Sequence, residues 1–222
     1  MLSPDAYADR VGVSKGENGK SNIRLYKITG PKGGKGCIFG LNGEITVKES
    51  EWFKNAYKKN EFCKDDNLNL PTIFWIISSP GGDVQAALEI MEIIRKQRLS
   101  TFIWHDKHSL RRGSRPECLS SCALVFSSGL HRHFKKTVES NSHLGIHKPS
   151  FVARTYEYIE EERKHDQIKY ALIDVMREQG IDPRFVIKMY ETKYEEMYFE
   201  KLTNLLIWNV ITSLDMPVDF PR

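Results

Sequence analysis

The chain has 222 residues, 40% of them hydrophobic, which is enough for one compact domain with a substantial core. Its 33 Lys and Arg against 29 Asp and Glu give a mild formal charge of +4 spread along both halves, so nucleic-acid binding is not indicated. No stretch approaches the roughly 18 consecutive apolar residues of a membrane span, and the beginning, MLSPDAYADRVG, is too polar for a secretory signal. The four cysteines include no two CxxC pairs for zinc, and we expect neither a metal nor a cofactor.

The N-terminal region is rich in glycine and lysine. Residues 13–36 contain SKGENGKS, in which Ser14 stands where a phosphate-binding loop requires glycine. We therefore predict a solvated arm or hairpin, and divide the chain into an N-terminal arm over residues 1–36 and one domain over residues 37–222.

The first half of this domain alternates strand and helix patterns. CIFGLNGEIT predicts a strand ending in a turn, and the aromatic spacing in KESEWFKNAYKKN predicts a helix. The continuous apolar run 72–79 predicts a strand buried on both faces. A helix over 83–97, with Asp83 as its N-cap and an apolar side that includes Val84, Leu88, Met91 and Ile94, precedes a strand over 99–104. Such a unit predicts two parallel strands joined by a right-handed crossover.

The second half continues the alternation. We predict a loop over 105–117, a helix in SSCALVFSSG, and a strand in SHLGIHKPSF that stops near Pro149. A long amphipathic helix covers 152–179, another helix follows Pro183, and the tail reads as strand, short helix, strand. This order predicts an α/β protein with a mostly parallel sheet covered by helices.

The segment CLSSC is a candidate nucleophile site. Ser120 lies between cysteines two places away on either side, a small-x-Ser-x-small arrangement that allows a sharp bend and an exposed hydroxyl at a helix start. The N–H of Ser121 would then face a developing oxyanion. The alternative is a serine that merely caps a buried helix.

Two further segments supply partners for such a serine. In SSPGGDV, adjacent glycines end a buried strand, and Gly81 or Gly82 is a candidate oxyanion donor, unless the segment is an ordinary strand-to-helix turn. In LGIHKPS, His147 ends an apolar strand and is a candidate general base, although a lone histidine is usually structural.

The three segments, in this order, resemble the proteolytic subunit of Clp protease and its relatives in the Clp/crotonase superfamily. The resemblance runs from about Cys37 to Thr212 and implies a spiral of stacked ββα units. It implies peptide hydrolysis through an acyl-enzyme, with Ser120 as nucleophile, His147 as base, and oxyanion support from the Gly81/Gly82 turn and Ser121. It also implies a peptide or protein substrate and a homo-oligomer assembled through the long helix, while the sequence does not indicate an unfoldase partner.

The chain departs from the ring-forming protease at two places. Cysteines flank the candidate nucleophile, and this C-x-S-x-C pattern resembles Clp-like proteins outside the bacterial cytoplasm, which favours a periplasmic or cell-envelope location. Cys118 and Cys122 either form a disulfide there or remain two buried thiols. Met197 stands where the family has its aspartate, and we choose the adjacent Glu196 as the third member of a triad.

Three rival interpretations remain. Lys148 would supply a Ser/Lys dyad, but adjacent strand residues point to opposite faces, so only one of His147 and Lys148 faces Ser120. An acyl-CoA enzyme of the crotonase branch would share the fold without using the serine. A catalytically inactive Clp-like scaffold would bind extended peptides without cleaving them.

Overall fold

The computed structural model describes residues 8–14, 22–29, 35–64, 72–103, 117–134, 143–149 and 158–214. Its strands are β1 (Ala8–Val13), β2 (Ile23–Thr29), β3 (Lys35–Asn42), β4 (Ile73–Ser78), β5 (Ser100–Ile103), β6 (Glu117–Leu119), β7 (Arg132–Phe134), β8 (His143–Ile146) and β9 (Tyr198–Phe199). Its α-helices are α1 (Val47–Lys59), α2 (Val84–Lys96), α3 (Ser121–Ser127), α4 (Tyr158–Glu178), α5 (Arg184–Glu191) and α6 (Leu202–Ile207). None of these helices has the length and apolar character needed to cross a membrane.

The strands form two sheets. The larger has the order β1-β2-β3-β4-β5-β7, antiparallel from β1 to β3 and parallel from β3 onward. The smaller has the order β6-β8-β9, in which β6 and β8 run parallel. The parallel pairing of β4 with β5, joined through α2, confirms the predicted strand-helix-strand unit. The predicted α/β class with a mostly parallel sheet flanked by helices is therefore correct.

Strand β4 shows why the apolar run 72–79 forms a central strand. Phe74 and Ile76 belong to the main core on one face of the sheet, whereas Ile73, Trp75 and Ile77 belong to a second apolar cluster on the other face. All five side chains are buried. A strand covered on both faces has no polar side to show, which explains its continuous apolar sequence.

Helix α2 begins as predicted, since the carboxylate of Asp83 accepts a hydrogen bond from the N–H of Ala86 at 2.7 Å. Its buried face is largely as predicted, since Met91 and Ile94 are buried and the partly buried Leu88 packs against the core, whereas Val84 is only partly buried. Ala86, Ala87 and Ile90, which were not named from the sequence, complete this face.

Of the two forms predicted for the N-terminal region, a solvated arm or a hairpin, the described residues fit the hairpin. Strands β1 and β2 extend the main sheet through antiparallel pairing with each other and with β3. Ile23, Leu25 and Ile28 are almost completely buried. The proposed boundary between residues 36 and 37 falls within β3, because it was placed by the glycine-rich and lysine-rich composition of residues 13–36.

Three smaller features of the structure were also not as predicted or cannot be compared with the prediction. Glu117, placed in a loop, begins β6, and β7 was not predicted at all. Between α6 and Leu214, where the described residues end, the chain makes an isolated bridge between Ser213 and His133 instead of the predicted final strand. The long helix is described from Tyr158 onward, so the predicted start at residue 152 lies outside the described residues.

Candidate active site

Ser120 stands at a sharp bend between β6 and α3. Its backbone has φ 57° and ψ −128°, a conformation that L-residues with side chains rarely adopt. It occupies the N-cap position of α3, yet its side chain accepts no capping hydrogen bond. The hydroxyl is therefore not used to start the helix, which argues against the alternative of a simple capping serine.

The Gly81–Gly82 turn lies directly against this bend. Both glycines have positive φ, 90° and 141°. A Cβ added to Gly81 would lie 2.6 Å from the Leu119 carbonyl oxygen and 2.8 Å from the Ser120 Cβ. A Cβ added to Gly82 would collide with the carbonyl oxygen of Ile45. Glycine is thus required at both positions by backbone conformation and by space.

Hydrogen bonds distinguish the candidate oxyanion donors. The N–H of Gly81 donates to the Ser79 hydroxyl at 3.2 Å. Among the described residues, the N–H groups of Gly82 and Ser121 donate no hydrogen bond. The Ser121 hydroxyl donates to the Gly82 carbonyl at 3.2 Å, so the glycine turn and the start of α3 are held together.

Strand β8, which leads to His147, pairs with the strand that leads to Ser120. The N–H of Ser120 donates to the Gly145 carbonyl at 2.8 Å, and Leu119 lies opposite Gly145 in the parallel pair of β6 and β8. Ser120 comes one residue after Leu119, and His147 comes two residues after Gly145. Because neighbouring strands lie about 4.8 Å apart, the backbones of the two residues are close to each other. No hydrogen bond joins the two side chains; the imidazole instead contacts the Lys148 carbonyl.

The His147 ring has two close neighbours. Its Nδ1 lies 2.8 Å from the carbonyl oxygen of Lys148. The ring of Tyr194 packs edge to face against the imidazole, with centroids 5.4 Å apart and planes at 69°. Nε2 makes no hydrogen bond with any described residue. Sequence reasoning missed Tyr194, because a tyrosine between charged residues in the tail gives no signal of its own.

The structure does not bring Glu196 to this histidine. Glu196 is exposed and faces Lys193, whose Nζ lies 3.9 Å from its carboxylate. The neighbouring Met197 packs close to Gly145, where an added Cβ would lie 2.7 Å from the methionine sulfur. The choice of Glu196 as the orienting acid is therefore not supported, since a turn points this carboxylate to solvent.

Cys118 and Cys122 form a disulfide across the bend, with Cα atoms 5.2 Å apart, and both are fully buried. Of the two alternatives left open by the sequence, the structure has the bonded one. Cys37 and Cys63 form a second disulfide, between β3 and the short 3-10 turn at Glu61–Cys63, which the sequence did not indicate. Within the described ranges, no group of three or more His, Cys, Asp or Glu side chains is arranged to hold a metal ion.

These elements define a Clp-type α/β fold, in which a mostly parallel sheet is flanked by helices and the bend bearing Ser120 leads from a strand into a helix. A solved structure with this fold is that of a ClpP1 point mutant from Listeria monocytogenes, with a TM-score of 0.56. The similarity covers 82% of this chain and 93% of that one at 15% sequence identity, and it shows the fold alone. No protein-family model and no curated protein matches the sequence.

Proposed function

We propose that this chain is a serine hydrolase that cleaves peptide bonds through an acyl-enzyme. The observation that carries the proposal is the strained bend at Ser120, whose hydroxyl caps nothing and which lies between the glycine turn and the end of β8. Strained non-glycine residues of this kind cluster at catalytic sites, because a well-packed surrounding must hold them in place.

In the proposed reaction, the Ser120 hydroxyl attacks the carbonyl carbon of the peptide bond while its proton passes to Nε2 of His147. The C–N bond breaks as this proton is delivered to the departing amine. Water, deprotonated by the same imidazole, then attacks the ester, releases the carboxylic acid and restores the serine.

The N–H groups of Gly82 and Ser121 are assigned the role of stabilising the negative charge on the tetrahedral intermediate. Their N–H groups have no acceptor among the described residues, whereas the N–H of Gly81 is occupied by Ser79. Two such donors typically contribute several kcal/mol of transition-state stabilisation, about 3 for each one removed. Gly82 is therefore preferred over Gly81 as the first donor.

A specific observation favours a second candidate, a Clp-like module that binds peptides without cleaving them. Ser120 and His147 share no hydrogen bond, and no described carboxylate contacts the imidazole. Such a protein would retain the bend and the glycine turn as a peptide-binding cleft. The two candidates differ in whether the serine reacts.

Labelling with a fluorophosphonate probe between about pH 6 and 9 separates them, because the probe bonds covalently to an activated serine hydroxyl. The hydrolase is expected to be labelled, with labelling abolished in Ser120→Ala and reduced by orders of magnitude in His147→Ala. Lys148→Ala serves as the matched control and should retain labelling. Absence of labelling across this range, or full labelling of His147→Ala, would contradict the proposal.

We further propose that the protein forms a homo-oligomer and resides in the periplasm or cell envelope. Two disulfides support an oxidising compartment. Light scattering would test assembly, and masses of the reduced and unreduced protein isolated from its host would test whether the cysteines are paired there. A peptide or protein is the substrate class, and an unfoldase partner is left unassigned.

A further inference from the structure

We propose that the main-chain carbonyl of Lys148, instead of a carboxylate, orients the His147 imidazole, and that Tyr194 is a positioning residue for this ring. The inference rests on the proposed role of His147 as general base. In place of the expected Ser/His/acid triad, it gives a Ser/His dyad in which a main-chain carbonyl orients the histidine.

The tautomer of His147 follows from its partner. A carbonyl oxygen only accepts hydrogen bonds, so the 2.8 Å contact with Lys148 requires the proton on Nδ1. Nε2 is then unprotonated and free to accept the serine proton. This is the tautomer that the acid of a catalytic triad selects, and here a neutral main-chain group selects it.

The Lys148 carbonyl is itself held in place. The N–H of Lys148 donates to the carbonyl of Thr192 at 2.9 Å, and the Thr192 hydroxyl donates to the carbonyl of Lys188 at 3.0 Å in α5. Thr192 is buried, as is Pro149, which fixes the next residue of the strand end. The acceptor therefore belongs to a residue whose own N–H is hydrogen-bonded to Thr192 and which is followed by a buried proline.

Tyr194 belongs to the same segment as Thr192, whose carbonyl accepts the hydrogen bond from the Lys148 N–H. Its ring packs against the imidazole, although 55% of the residue is exposed to solvent. A tyrosine this exposed contributes little to the core, so its packing acts mainly on the histidine ring. It limits rotation of the imidazole away from the Lys148 carbonyl.

No described carboxylate competes for this role. The exposed Glu196 faces Lys193, and Met197 occupies the space beside Gly145. Removing the charges of Glu195 and Glu196 should therefore leave the histidine unchanged. The Lys148 side chain is equally dispensable, because only its backbone oxygen takes part.

Nitrogen-15 NMR of the histidines in Ser120→Ala tests the tautomer without requiring any activity, with His147 assigned by comparison with a variant that also carries His147→Gln. The neutral ring is expected to carry its proton on Nδ1, both alone and with Glu195→Gln and Glu196→Gln added. A proton on Nε2, or a change of tautomer when the two charges are removed, would overturn the inference.

The role of Tyr194 is tested by fluorophosphonate labelling as a function of pH. Tyr194→Phe keeps the ring, and its labelling rate should stay within about threefold of that of the unmodified chain. Tyr194→Ala should label at least about tenfold more slowly, and a larger fraction of its neutral His147 should carry the proton on Nε2. Equal labelling of both variants would remove Tyr194 from the inference. If the unmodified chain is not labelled at all while Nδ1 carries the proton, the proposed function fails and the orientation of His147 stands.

Discussion

Gly81 packs so closely against Ser120 that a Cβ on the glycine would lie 2.8 Å from that of the serine. Gly81→Ala should therefore displace the bend, and its φ of 90° adds backbone strain of about 1 to 2 kcal/mol. We expect a clear loss of thermal stability and a decrease of at least about tenfold in fluorophosphonate labelling of Ser120. Differential scanning fluorimetry and probe kinetics on the same samples measure both.

Gly40→Ala is the matched control for this substitution. Gly40 lies in β3, where an added Cβ would have only ordinary contacts, the nearest at 3.5 Å to Ile77 and Tyr26. Its labelling rate should stay close to that of the unmodified chain. Equal damage from both substitutions would mean that the Gly81 effect is not specific to the bend.

The Cys118–Cys122 disulfide closes a loop of only four residues around the serine. Chain entropy for so short a loop stabilises the fold by only about 2 kcal/mol. The bond joins β6 to the first turn of α3, so its larger effect should be on the strained conformation of Ser120. We expect the double variant Cys118→Ala/Cys122→Ala to remain folded by circular dichroism and to label at least about tenfold more slowly.

The Cys37–Cys63 disulfide should behave in the opposite way. It spans 26 residues and lies outside the site, so removing it should cost about 3.5 kcal/mol of unfolding free energy. The double variant Cys37→Ala/Cys63→Ala is expected to have a lower denaturant midpoint than the Cys118/Cys122 double variant, with little change in labelling of the folded protein. The reverse ranking in both measurements would contradict the assignment of one structural and one site disulfide.

Arg132 joins the end of the sheet to the C-terminal segment. It is 2% exposed, and its guanidinium donates to the carbonyls of Gly129, Asn209 and Val210. Burial lowers its pKa to about 10, so the group remains charged at neutral pH. Arg132→Met leaves these acceptors without their donor and should reduce the free energy of unfolding by about 3 kcal/mol, measured by urea denaturation.

Arg177→Ala is the control for that experiment. Its guanidinium is largely exposed and lies 3.7 Å from the Asp174 carboxylate. Such a surface ion pair contributes at most about 1 kcal/mol to stability. The unfolding free energy should therefore change little. A comparable loss in the two variants would show that the buried hydrogen bonds of Arg132 do not dominate its contribution.

The sequence predicted correctly those elements whose cause lies in adjacent residues. The run at β4 and the Asp83 cap of α2 were correct, because continuous burial and a capping carboxylate leave direct marks in adjacent residues. The N-terminal strands were predicted only as a solvated arm or hairpin, since glycine and lysine dominate the composition of residues 13–36. Strand β7 was missed because three residues are too few to show a period.

The sequence determined the three segments that meet at the candidate site, because each carries its signal in consecutive residues: the paired glycines, the serine between cysteines, and the histidine before proline. Only the tertiary structure decided how those residues are paired. It joined Cys118 to Cys122 and Cys37 to Cys63, and it set Gly81 against Ser120. It also gave His147 a backbone carbonyl as its neighbour and left Glu196 in solvent. The reason is that such pairings depend on distances across strands and turns that are far apart along the chain, and no local pattern encodes those distances.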